Sequence, residues 1–342
     1  MIFANDSYVA EFFPAATASR RIVISFAELG DRNLEGTGFA GRFLLDSGFD
    51  VIAVKSARDR WYHDAPGDMF VAIGDFLADR SAQYDWRAAY GASMGGYAAI
   101  ISARRLGVDV VLAISPQFDI TADWDLRWAV FRFGPFMQLE SDMVGRRCRY
   151  VMLYDPFDDD RLHIEAFGKI IPPDQLTRLK LPCAGHPPTE TLDQAGVLAE
   201  VAGQILDGGV AGIDRRAIVS AIHGTPRYAY FLASRCLERN HARWAETMIG
   251  RALEKLPLES ETNMKAAQIA DRCGDRVGAI CRAAIAVAVE PENPTMNFLL
   301  ATYLRRENFR GAALRYMDAA LALLPGDAGI TAARDEVLRE MG

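Results

Sequence analysis

The chain has 342 residues, half of them hydrophobic and 24% charged, and carries a net charge of −7. That length suits two domains, and the acidic balance without any Lys/Arg block argues against a nucleic-acid partner or an anionic membrane surface. No apolar run reaches the roughly 18 residues of a membrane span. The stretch Met1 to Ala18 has no Lys or Arg ahead of its apolar residues, so it lacks a secretory n-region. Five scattered cysteines with no Cys-x-x-Cys pair fit reduced thiols in a cytoplasm and neither a disulfide framework nor a zinc site.

In chain order, β-rich runs alternate with helical stretches up to about residue 210. Arg21 to Phe26 reads as a strand, Phe43 to Asp46 as the end of a helix, and Val51 to Val54 as the next strand. A helix over about Asp68 to Arg80 leads to a buried strand ending at Arg87-Ala88-Ala89-Tyr90. Then comes Gly91-Ala92-Ser93-Met94-Gly95, followed by an amphipathic helix to about Arg105. A serine on so sharp a strand-to-helix turn sits in strained backbone with its hydroxyl above the sheet edge. Glycines two residues on either side avoid collision with the neighbouring elements. The new helix presents orphan N–H groups to an oxyanion.

Strands follow at Val110–Ile114 and Tyr150–Tyr154, with a weaker one near Arg178 to Leu181 and a helix over about Pro188 to Leu206. Alternation of this kind predicts a mostly parallel sheet with helices on both faces, its chemistry gathered where strands end in loops. The segment at about 117–149 carries Trp124, Trp128, Phe131, Phe133 and Phe136. These suit either a small cap packed on the sheet or an apolar or sugar-stacking wall over the site.

Ser93 needs a base. His186, in Ala184-Gly185-His186-Pro187 beyond the last strand, is placed to swing over it. His63, beside Trp61 and Tyr62, is the competitor, read as lining the pocket or packing beside its two aromatics. A third member, orienting the imidazole, is expected after the penultimate strand, where Asp155, Asp158, Asp159 and Asp160 are candidates. Asp155 lies closest to the strand and caps the turn through Pro156, and Asp160 reads as a helix N-cap. Asp158 is the choice, with the others open. Three adjacent aspartates without further ligand spacing are weak grounds for a metal.

Serine, acid and histidine in this order over residues 1–212 resemble the α/β-hydrolase family. The resemblance implies an acyl-enzyme on Ser93, no cofactor, and an oxyanion site with Met94 N–H as one donor. The second donor would come from the loop after the early strand, here Ala27 or Glu28. The usual His-Gly-type signature is absent there, and Phe26-Ala27 stands in its place. The expected activity is cleavage of an ester, thioester or related acyl bond in a small-molecule or glycan substrate. An acyltransferase, or an inactive adaptor whose repeats hold a protein partner, are the alternatives.

The second half, 213–342, has no strand pattern but repeats. Pro257, Pro291 and Pro325 lie 34 residues apart, and three alanine sets share that frame: Ala233, Ala267 and Ala301; Ala245, Ala279 and Ala313; Ala252, Ala286 and Ala320. This period resembles the tetratricopeptide (TPR) repeat, which implies paired helices over 226–259, 260–293 and 294–327 with a capping helix from Ile330 to Met341. Where that family often has aromatics, this chain has Ala229, Asn263 and Asn297, then Cys236, Ala270 and Leu304.

Overall fold

The computed structural model describes residues 1–342, which divide into two compact units, Met1–Ile222 and His223–Gly342. The first is built on an eight-stranded sheet: β1 (Phe3–Ala4), β2 (Tyr8–Phe13), β3 (Arg21–Phe26), β4 (Asp50–Ser56), β5 (Trp86–Ala92), β6 (Val110–Ile114), β7 (Arg149–Tyr154) and β8 (Leu176–Lys180). Their order is β1-β2-β4-β3-β5-β6-β7-β8, antiparallel at the β1 and β2 edge and parallel from β4 through to β8. The central strands are buried on both faces, which is why they read as continuous apolar runs. The N-terminal hairpin escapes such a reading because β1 is only two residues long. It is held by Asn5, whose side chain accepts the N–H groups of Ser7 and Tyr8.

The helices of this unit are α1 (Gly41–Asp46), α2 (Gly67–Asp79), α3 (Met94–Leu106), α4 (Asp160–Ile170), α5 (Thr189–Gln194), α6 (Leu198–Leu206) and α7 (Arg215–Ile222). The single helix expected over 188–206 is two, because Gly196 adopts φ 70° and breaks it after α5. The segment between β6 and β7 holds only two short 3-10 turns, Leu126–Phe131 and Ser141–Met143. The first unit also runs ten residues past the expected boundary at 212, since α7 buries Ile218 and Ile222 within it.

The chain passes from β3 to β4 on one side and then to β5 on the other, so the C-terminal ends of β3 and β5 flank a topological switch point. Phe26 and Gly91 are partners in the register there, which brings the loop after β3 beside the turn carrying Ser93.

The second unit consists of α8 (Pro226–Glu238), α9 (Ala242–Lys255), α10 (Ser260–Cys273), α11 (Arg276–Val289), α12 (Pro294–Arg306), α13 (Arg310–Leu323) and α14 (Ala328–Met341). It is a TPR-like helical-repeat region of sequential helix pairs, α8 with α9, α10 with α11 and α12 with α13. All nine in-frame alanines are buried to within 1% of full burial, because close approach of the paired helices leaves room for nothing larger than a methyl group. Leu256, Glu290 and Leu324 end the second helices with nearly the same backbone (φ −125° to −131°, ψ 60° to 73°), each held out of the helical region by the proline that follows. Asn263 and Asn297 stand where an aromatic is common in TPRs, and each is buried for a reason of its own. Asn263 Nδ2 donates to the carbonyls of Pro257 (2.9 Å) and Glu259 (2.8 Å), and Asn297 Nδ2 to those of Pro291 (2.8 Å) and Asn293 (2.9 Å). A polar clasp on the inter-repeat turn thus replaces a packed ring. No helix in the chain is long and apolar enough to cross a membrane.

Candidate active site around Ser93

Ser93 sits between β5 and α3 at φ 49° and ψ −118°, a backbone that costs a non-glycine residue on the order of 1–3 kcal/mol. Its N–H is anchored to the Ile114 carbonyl (2.8 Å) and its own carbonyl accepts from Tyr97 N–H (3.1 Å). The flanking glycines are obligatory: a Cβ on Gly91 would run into the backbone of Gly95, and one on Gly95 into the carbonyl of Phe26. The sharp turn is therefore a product of packing at the switch point, and it aims the Ser93 side chain at the loops beyond the strands.

The loop after β8 supplies His186, and the helix start after β7 supplies Asp160. His186 Nε2 lies 3.2 Å from Ser93 Oγ, and His186 Nδ1 lies 2.8 and 2.9 Å from the two Asp160 oxygens. Asp160 is the first residue of α4 and is fully buried. Burial opposes its ionisation, but the neighbouring His186, Arg127 and Ser115 outweigh that and hold its carboxyl below the usual range. An ionised Asp160 accepts from Nδ1–H and leaves Nε2 as the acceptor facing the Ser93 hydroxyl.

The carboxylate against His186 is Asp160, two positions on from Asp158, where the orienting acid was expected. The turn after β7 is tightened by Asp158 N–H on the Asp155 carbonyl (3.2 Å), so the helix starts at once and Asp160 enters it pointing inward. Asp158 instead pairs with Arg127. Asp159 occupies the N-cap position of α4 without a side-chain cap bond. Asp155 is also buried, but its Oδ2 accepts Gly185 N–H (3.1 Å) and its Oδ1 accepts Phe157 N–H (2.9 Å), which ties the His186 loop to the end of β7. Burial pushes its carboxyl upward against those hydrogen bonds.

Of the oxyanion candidates, Met94 is the first residue of α3, where an N–H has no partner inside the helix. Ala27 N–H, one of the two expected candidates for a second donor, is taken by the Val54 carbonyl (3.0 Å). The Glu28 carboxyl is raised, first by burial and next by Asp31, while His186 draws it back down.

Sequence reading did not assign roles to four further residues around this row. Gln117 is fully buried, and its Oε1 lies 3.2 Å from Ser93 Oγ while accepting Trp61 Nε1–H (3.0 Å). Its Nε2 donates to the Ser115 carbonyl (2.7 Å). Arg127 donates to Asp160 Oδ1 (3.0 Å) and, with two nitrogens, to Asp125 (2.9 and 2.6 Å). Asp125 is fully buried and also takes Trp128 Nε1–H (3.0 Å) and His163 Nε2–H (3.1 Å). His163 Nδ1 accepts Phe118 N–H (3.0 Å), so the ring is spoken for on both sides. The only sequence signal for these roles was position: Ser115-Pro116-Gln117 ends a strand beside the switch point, and Asp125 and Arg127 sit in the aromatic insertion.

The aromatics of that insertion divide between two tasks. Trp128 lies edge-on to His186, with ring centroids 5.1 Å apart, and against Trp61 at 5.6 Å, so it walls the site. Phe133 and Phe136 pack on His63, which itself stacks on Tyr97 at 5.6 Å, so they fasten the insertion to α3. A separate cavity of about 460 Å3 lies by Ile101, Arg105 and Met143, at the far end of α3 from Ser93.

No protein-family model matches the chain, and no curated protein is significantly similar to it. Solved structures similar to part of it include the first TPR of Spaghetti (RPAP3) bound to the HSP90 peptide SRMEEVD, at 11% identity over 34% of this chain and 93% of that one, TM-score 0.33. The Sgt2 TPR domain from Aspergillus fumigatus is similar at 13% identity over 34% and 78%, TM-score 0.32. The Yersinia enterocolitica type III secretion translocator chaperone SycD is similar at 14% over 33% and 77%, TM-score 0.29.

Proposed function

We propose that the first unit is a serine hydrolase of α/β-hydrolase type that cleaves an ester, thioester or related acyl bond through an acyl-enzyme on Ser93. The observation that carries this is the unbroken row from Ser93 Oγ through His186 to Asp160, with a strained backbone presenting the serine. In this reading His186 Nε2 takes the Ser93 proton as Oγ attacks the carbonyl carbon, and the carbonyl oxygen draws on the N–H groups of Met94 and Glu28. His186 then hands the proton to the leaving group. Asp160 fixes the imidazole tautomer and stabilises the cation formed in between. The reaction as written needs no metal or organic cofactor.

The Trp128 ring, edge-on to His186, supports a substrate with an apolar or glycan moiety beside it. Acyl transfer to an alcohol or amine would use the same nucleophile. The TPR-like region supports a second role for the chain, holding a protein partner, and that role would remain if the first unit were inert.

The test is covalent labelling with a fluorophosphonate probe near neutral pH. Wild type is expected to label at Ser93, Ser93→Ala not at all, and His186→Ala slower by orders of magnitude. A folded wild-type protein that resists the probe would sink the hydrolase reading and leave the adaptor. A panel of acyl esters and thioesters of graded chain length then identifies the acyl group.

A further inference from the structure

Gln117 is a second acceptor built against the Ser93 hydroxyl, and its orientation is not free. Trp61 Nε1 can only donate, so the amide must turn its oxygen toward Trp61 and Ser93, and the Ser115 carbonyl then takes its Nε2–H. Ser93 Oγ therefore stands within 3.2 Å of two acceptors, His186 Nε2 and Gln117 Oε1. A hydroxyl has one hydrogen and can serve only one of them at a time.

The situation changes once Ser93 is acylated. Its oxygen becomes an ester oxygen with no hydrogen, and a carbonyl oxygen has two lone pairs, of which Trp61 occupies one. The other lone pair of Gln117 Oε1 and the Nε2 of His186 then face the same reacting centre. A nucleophile with two hydrogens on its attacking atom, such as water or a primary amine, can donate to both. An alcohol or thiol has one, so it donates to His186 and forgoes the second hydrogen bond, leaving Gln117 Oε1 with Trp61 alone.

Building on the Ser93 acyl-enzyme, we propose that Gln117 positions the deacylating nucleophile and biases the enzyme toward water, and against transfer of the acyl group to an alcohol. The step balances as follows. One water hydrogen passes to His186 Nε2 while the water oxygen bonds to the acyl carbon, with the second hydrogen held on Gln117 Oε1. The tetrahedral intermediate then expels Ser93 Oγ, which takes the proton back from His186, giving the free carboxylic acid and the original serine.

The experiment loads the full chain with p-nitrophenyl acetate and follows acetyl-Ser93 by mass spectrometry, in buffer and in buffer containing methanol. Wild type is expected to form the adduct quickly and lose it to acetate in preference to methyl acetate. Gln117→Met should lose the adduct roughly ten-fold more slowly, the worth of one hydrogen bond, and by a larger factor than any change in its acylation rate. Its product should shift toward methyl acetate. Trp61→Phe keeps an aromatic ring and the glutamine but removes the Nε1–H and frees the amide to turn, so it should shift the product the same way, and it decides the matter if Gln117→Met does not fold. Equal loss in acylation and deacylation, or an unchanged product ratio in a folded variant, overturns the role of Gln117 while leaving Ser93 as nucleophile. Absence of any wild-type adduct removes the acyl-enzyme itself, and the proposal falls with it.

Discussion

The two units store their irregular backbone in different places. In the first, Ala40, at the start of α1, and Trp61, Tyr62, Ser93, Ser115 and Cys183 have positive φ. Trp61, Ser93 and Ser115 are joined through Gln117, and Cys183 lies in the loop leading to His186. In the repeat region the only non-glycine residues with positive φ are Asn240 and Asn308, each at the turn between paired helices, where asparagine tolerates the left-handed region. Strain at a turn that asparagine relieves serves the chain path. Strain borne by tryptophan, tyrosine and serine around one buried hydroxyl needs support from the surrounding packing, and such clusters go with function. Buried polar side chains differ in degree between the units. The amides of Asn263 and Asn297 in the repeats donate to nearby backbone, whereas Asp125 and Asp160 share Arg127 and Gln117 joins Trp61 to Ser93.

That contrast is broken most directly at Asp160. Asp160→Asn leaves a similar shape but spoils the tautomer of His186, and turnover of an activated ester should fall on the order of 10^3- to 10^4-fold. Asp158→Asn should cost far less, since that carboxylate sits on Arg127 and not on the imidazole. Equal losses in the two variants would return the acid to an open question. Arg127→Met is the next largest effect. It strips the cation from two fully buried carboxylates, Asp125 and Asp160, and should lower unfolding free energy by about 3 kcal/mol in denaturant melts at neutral pH. A melt unchanged from wild type would mean that the network is not holding the insertion.

The sequence made the strands, the serine turn and the 34-residue frame legible because each is a short-range pattern. Gly91 and Gly95 announce a collision with adjacent backbone, and nine alanines announce a seam. The carboxylate that meets His186 was not legible because Asp155, Asp158, Asp159 and Asp160 are all plausible by position. Only the tight turn that starts α4 at residue 160 decides which one points inward. Gln117 and Arg127 were not legible either, since their partners lie 24 and 33 residues away along the chain. Ala27 looked as good a donor as Glu28 until the Val54 carbonyl was seen to occupy it. Asn263 and Asn297 appeared as departures from a family pattern, and the structure gives them a task that the pattern does not contain.

In the repeats the expected effects are smaller and separable from chemistry. Ala279 is buried on α11 within the middle helix pair. Ala279→Leu should overpack the seam and cost on the order of 1–3 kcal/mol, with ester turnover at low temperature retained. Loss of turnover in a folded variant would make the repeats part of the catalytic unit and erase the division of labour described above.

The smallest effect concerns how the insertion is fastened. His63 Nδ1 accepts Met137 N–H (3.2 Å), and its Nε2 lies 3.0 Å from the Tyr97 hydroxyl, which donates to the Met137 carbonyl. Met137 N–H has no acceptor character, so this closed set requires a neutral imidazole. Burial chiefly, with Arg60 adding to it against the opposing pull of Asp64 and Asp119, lowers the His63 pKa to about 4. The unfolded chain titrates near the usual value of about 6.5. Between those two values the unfolded state binds a proton that the folded state refuses, so stability falls as pH drops from about 6.5 toward about 4 and is unaffected by His63 above that window. His63→Gln keeps an acceptor for Met137 and a donor for Tyr97 without titrating. Denaturant melts at pH 7.5, 6 and 5 should therefore show wild type losing more stability on acidification than the variant, although other carboxylates titrate in both. Parallel losses would mean that the histidine is solvated, and that Phe133 and Phe136 alone hold the insertion to α3.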